Sequence, residues 1–280
     1  VRTALVLGGG GITGIAWELG LLAGLRGAGL DLTGADLVVG TSAGSVVGAQ
    51  ATSGADLDDL YARQLRPPRG EAAARMPRTA LARWAWAFVR ERDPDRARAR
   101  IGRMAHRRST SSPAERRRVI SARLPTRDWP DGTDLRVVAV DARTGRRAVL
   151  DRDSGVPLLD AVMASCAVPG VWPPVPLRGR PHVDGGVYSA TGADLAAGCD
   201  RVAVLAPIAR GLGPVRSPAA ELAGLPGAPR TALVVPDAAA RAAIGGNVLD
   251  PARRAAAARA GRAQAERAAD RVAAAWTAAG

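Results

Sequence analysis

At 280 residues and 47% hydrophobic content the chain is long enough to bury a full core, and its size fits one large domain. Its two cysteines, Cys166 and Cys199, are too few for a disulfide framework and stand in no Cys/His cluster, which excludes a disulfide-stapled module and a cysteine-based metal centre. The formal charge of +13 rests on 39 basic residues that are all arginine, a compositional habit of the whole chain, and no nucleic-acid partner is expected from it.

In chain order, Thr3 to Leu7 is a short apolar run that breaks into Gly8, Gly9, Gly10 and Gly11, and a helical pattern follows through Ile15, Leu19, Leu22 and Leu25. The same grammar returns at Asp36 to Val39, where an apolar run enters the small-residue turn Gly40 to Gly44 and a second helix opens at Val46. Two strand-turn-helix units in fifty residues predict an α/β fold with a mainly parallel central sheet flanked by helices. Residues 57–123 carry helical spacing and no strand signal, so they read as an inserted helical cap, with Leu81, Trp84, Trp86 and Phe88 as candidates for an apolar slot. Within it, Arg90 to Arg123 holds twelve arginines against four acids and is the stretch expected to face an anionic surface. Further strands are predicted at Leu135 to Val140, Ala148 to Leu150, Arg201 to Leu205 and Ala232 to Val235. From Pro251 to Ala279 alanine and arginine predict a long helix that covers one face of the sheet.

No run approaches the ~18 apolar residues of a bilayer-crossing helix. The N-terminal residues lack the pattern of a secretory signal, and a soluble protein of a reducing, cytoplasmic compartment is expected.

Gly40-Thr41-Ser42-Ala43-Gly44 is a G-x-S-x-G pentapeptide between a predicted strand and a predicted helix, the setting of a nucleophile elbow. Ser42 is then a nucleophile thrust out at the positive end of a helix, or else an ordinary N-cap bonded to its own helix. Gly9, Gly10 and Gly11 place side-chain-free amides at a helix start, where they can hold an oxyanion. With Gly14 they also spell the G-x-G-x-x-G of dinucleotide sites, but that reading wants an acid at the end of the second strand, and Asp31 lies before it. For the base, the chain offers His106 and His182. His106 sits in the arginine run and reads as a surface residue. His182 with Asp141 leaves a Ser-His-Asp arrangement open. Asp184, followed by Gly185 and Gly186, is the better candidate if burial raises its pKa, against the plain alternative of an Asp-Gly turn.

Taken together, these motifs resemble the patatin-like phospholipases: a glycine-rich loop at Gly9 to Gly14, the elbow at Gly40 to Gly44, and a D-G-G motif at Asp184 to Gly186. Ala164-Ser165-Cys166-Ala167-Val168-Pro169, followed by Trp172-Pro173-Pro174-Val175, is similar to a further segment of that family. The resemblance spans residues 3–208, with the cap inside it and 209–280 as a helical extension packed on the same domain. It implies a lipid acyl hydrolase that needs no cofactor or metal, with Ser42 as nucleophile, Asp184 as general base and the amides of Gly9 to Gly11 as oxyanion donors. The chain departs from the family pattern in carrying Ile12-Thr13 where many members have an arginine or lysine, which keeps a non-catalytic relative among the readings.

Overall fold

A computed structural model of the chain describes residues 1–67, 74–105, 112–211 and 215–277. His106 and six residues of the arginine-rich stretch, 106–111, lie outside the described residues. In chain order the strands are β1 (Thr3–Leu7), β2 (Leu37–Thr41), β3 (Asp134–Asp141), β4 (Arg147–Leu150), β5 (Val175–Leu177), β6 (Arg180–Asp184), β7 (Arg201–Leu205) and β8 (Arg230–Val234). Among the described residues they form one sheet of order β5-β6-β3-β2-β1-β7-β8, with β4 paired to β3. The run from β3 to β8 is parallel, while β4, β5 and β6 are antiparallel. The expected mainly parallel α/β sheet is therefore what forms.

Helices cover both faces, which is why the parallel strands are continuous apolar runs. The strand period of two sorts them: Leu5 and Leu7 of β1 enter one core, Ala4 and Val6 the other. The first core is roofed by α1 (Gly11–Gly27) and α2 (Ala43–Ala51), with α3 (Leu57–Leu65) beside α1. Next in the chain come α4 (Arg78–Arg90), α5 (Pro94–Met104) and α6 (Pro113–Arg123), then α7 (Leu158–Ser165), α8 (Pro218–Ala223), α9 (Ala238–Ile244) and α10 (Arg254–Trp276). The predicted C-terminal helix forms as α10 after a 3-10 turn at Pro251–Arg253, and it lies along α1.

Residues 57–123 are helical wherever they are described, but they do not act as one lid. α3 packs on α1 and α10, α4 and α5 pack on each other with α5 reaching β3, and α6 packs on α7. The β5-β6 hairpin was not among the predicted strands, because its prolines read as a turn. Pro176 and Pro181 stand opposite each other in it, at the end of the sheet where a missing N–H is tolerated.

Sheet register brings the two ends of the motif pattern together. β2 pairs with β3 up to Thr41 opposite Val138, and β6 pairs with β3 from Asp184 opposite Ala139. The residue after β2 is Ser42, so the two side chains arrive one step apart along β3.

Candidate active site

The turn between β2 and α2 is tight enough to dictate its glycines. A Cβ on Gly44 would lie 2.0 Å from the backbone oxygen of Leu7, and one on Gly40 would lie 2.6 Å from that of Gly44. Ser42 itself has φ of +53°, a region that costs a non-glycine residue about 1–3 kcal/mol. Side chains from around the turn hold that conformation. Ser42 N donates to Ser165 Oγ at 2.8 Å, and Ser165 Oγ donates on to Val138 O at 2.6 Å. Ser45 Oγ donates to Ser42 O at 2.7 Å, and Cys166 Sγ at 3.2 Å. Both polar ends of the Ser42 backbone unit are therefore engaged, and α7 is tied to the turn through Ser165 and Cys166. Nothing in the sequence separates this bracing role from simple packing, although both residues lie in the segment singled out above.

The Ser42 hydroxyl makes no capping bond to α2. It donates instead to Asp184 Oδ2 at 2.7 Å. Asp184 Oδ1 accepts from Gly186 N at 2.7 Å, and Gly185–Val187 form a 3-10 turn rather than a hairpin turn. Asp184 is only 4% exposed, and burial pushes its pKa up to about 6. The bonds from Ser42 and Gly186 and the positive charge of Arg116 act in the opposite direction. The ordinary carboxylate is thus moved into the range where it can take and return a proton near neutral pH.

His182 does not reach this pair. Its Nδ1 lies 2.9 Å from Arg180 O, and it stands opposite Asp141 in the sheet, whose carboxylate is paired with Arg180 at 2.7 Å. Burial lowers the His182 pKa, and among the described residues no hydrogen bond joins it to Ser42.

The glycine loop leads from β1 into α1 and flanks the hydroxyl. Gly9 N donates to Ala190 O at 2.8 Å, so of the three amides expected to face an oxyanion this one is already engaged. Gly10 and Gly11 N–H have no acceptor among the described residues, and both line the same cavity as Ser42 and Asp184. Gly14 sits inside α1, where its N–H bonds Gly10 O. Thr13 is buried, with its amide on Val248 O at 3.1 Å, while Ile12 lines the cavity.

The cavity measures about 560 Å³, within the range of ligand sites. Its apolar wall includes Ile12, Leu81, Trp84, Phe88, Val168 and Trp172. Trp86, expected to join them, faces outward at 50% exposure with Arg100 stacked on its ring at 4.3 Å. The far wall, Gly246 to Leu249, comes from a stretch in which no motif was recognised.

A family model described as patatin-like phospholipase matches residues 5–197. Among solved structures, VipD from Legionella pneumophila is similar with a TM-score of 0.41 and 16% identity, over 73% of this chain and 49% of that one. The type III effector protein ExoU is similar with a TM-score of 0.42 and 16% identity, over 97% of this chain and 53% of that one. The chain thus spans about half the length of each. No curated protein matches it.

Proposed function

Because the chain belongs to the patatin-like phospholipase family, we propose that it cleaves carboxylic ester bonds of lipids, as a phospholipase A or lysophospholipase does, through an acyl-serine on Ser42. The observation that carries this reading is the 2.7 Å bond from the Ser42 hydroxyl to the buried carboxylate of Asp184. A serine hydroxyl is a poor nucleophile until a neighbour takes its proton, and Asp184 is the group in place to do so.

As Ser42 Oγ attacks the ester carbonyl, its proton passes to Asp184 Oδ2. The amides of Gly10 and Gly11 donate to the tetrahedral oxyanion, a contribution typically worth about 100-fold to 1000-fold per donor. Collapse breaks the C–O bond to the alcohol, which leaves with the proton from Asp184. Water then gives a proton to Asp184 while its oxygen attacks the acyl-serine, and the carboxylic acid departs as Ser42 regains its hydrogen. The apolar wall of Ile12, Leu81, Trp84, Phe88 and Trp172 suits a fatty acyl chain. No helix among the described residues is long and apolar enough to cross a membrane. Contact with an anionic bilayer through the Arg90 to Arg123 region is supported by α4, where Leu81, Trp86 and Val89 are exposed on the same helix as Arg90. The reading keeps 3–208 as the hydrolase domain with its cap, and 209–280 as a segment that packs on it through α10.

The test is turnover of p-nitrophenyl esters of graded chain length. Ser42→Ala and Asp184→Asn should each lower kcat by about 1000-fold or more, while His182→Ala stays active. Full activity in Asp184→Asn together with loss in His182→Ala would transfer the base role to His182.

A further inference from the structure

The cavity that holds Ser42 is charged in one sense. Asp184 is the carboxylate in its described lining, whereas Arg75, Arg116, Arg123 and Arg210 all contribute to it. Two of these, Arg116 and Arg123, are half-buried and stand seven residues apart on α6, so they share one helix face, with the buried Ile120 between them. That helix is anchored at its start by a capping box between Ser112 and Glu115. It is anchored to α7 by the ion pair of Arg117 with Asp160. The end of α7 is Ser165, the residue bonded to Ser42 N, so both arginines are held on a frame that leads directly to the nucleophile.

Their charge is felt at the reacting groups. Arg116 lowers the proton affinity of Asp184, and Arg116 with Arg123 does the same at Cys166, whose sulfur bonds Ser42 O. The Arg116 guanidinium lies over the Trp172 ring, 3.9 Å from its centroid. Stacking of this kind employs the flat face of the guanidinium, and its N–H fork is the part that recognises phosphate and carboxylate oxygens in plane. Trp172 also forms part of the apolar wall, so an apolar slot and a cation meet at one side chain.

We propose that Arg116, supported by Arg123, is a substrate-binding residue that selects esters carrying a phosphodiester close to the scissile carbonyl, which makes the preferred substrate an anionic glycerophospholipid rather than a neutral glyceride. This rests on the hydrolase reading of the same cavity. An uncharged ester gains nothing from the two arginines and leaves their charge uncompensated, whereas a bound phosphodiester forms charge-assisted hydrogen bonds with them.

The experiment measures binding in the Ser42→Ala protein, so that it does not depend on turnover. Dihexanoyl phosphatidylglycerol and dihexanoylglycerol, both below the concentration at which they aggregate, are titrated calorimetrically into Ser42→Ala, Ser42→Ala/Arg116→Gln and Ser42→Ala/Arg116→Lys. The phosphodiester should bind at least ten-fold more tightly than the neutral lipid. Arg116→Gln should cut that ratio at least ten-fold, and lysine, which keeps the charge but not the fork, should restore part of it. Inorganic phosphate titrated alone should bind far more weakly than the phospholipid; equal affinity would show a site for free phosphate and overturn the assignment to substrate. Equal binding of the two lipids, or an equal loss of both in Arg116→Gln, would also overturn it. If the preference holds but the unmutated protein turns over neither lipid, the hydrolase reading fails and the anion subsite stands.

Discussion

Asp184 is where chemistry and environment can be separated by a titration. Its carboxylate must be ionised to accept the Ser42 proton, and burial has raised its pKa to about 6. The expected kcat/KM for an uncharged ester therefore falls tenfold per pH unit below about 6 and is flat above it, measured between pH 4.5 and 8. A second buried acid has a different consequence. Glu18 of α1 is fully buried, its two oxygens have no hydrogen-bond partner among the described residues, and burial raises its pKa well above the ordinary 4.5. A raised folded-state value gives stability that is whole at low pH and is lost as pH climbs from the unfolded value through the folded one. Glu18→Gln should accordingly raise Tm, by little at pH 4.5 and increasingly toward pH 8, gaining about 1.4 kcal/mol per pH unit until the native glutamate ionises. Thermal unfolding across pH checks this. Ser42 and Asp184 were legible because each sits in a motif whose glycines have a steric purpose. The engagement of Gly9 with Ala190 and the bracing of Ser42 by Ser165 were not, because each joins residues more than a hundred positions apart.

At the scale of elements, the sequence announces what is periodic and conceals what is close. Apolar runs marked β1, β2, β3, β4, β7 and β8 to within two or three residues, while the β5-β6 hairpin that delivers Asp184 is short, rich in proline and without alternation. Closeness is clearest between α1 and α10. A Cβ on Gly261 would stand 2.2 Å from the backbone oxygen of Trp17, and one on Gly20 would stand 2.1 Å from that of Ala258. The helices meet backbone to backbone, and Trp17 Nε1 donates to Gln264 Oε1 at 3.0 Å across the contact. Gly261→Ala tests which effect wins. Helix propensity favours the alanine by about 1 kcal/mol, but overpacking against backbone that cannot yield costs about 1–3 kcal/mol or more. The expected result is a lower Tm in thermal unfolding despite the better helix former.

Over the whole molecule, the recognised pattern and the folding unit have different limits. The match to the family ends at residue 197. Yet β7 starts at Arg201 and pairs with β1 along its full length, β8 extends the same sheet, and α10 covers α1. A fragment cut where the motifs stop would keep Ser42 and Asp184 but strip one side of β1 of its backbone partners. The inner strand beneath the glycine loop would become a bare edge, a template for pairing with another copy of itself. Truncation at the last recognisable motif would therefore yield a self-associating chain instead of a smaller enzyme.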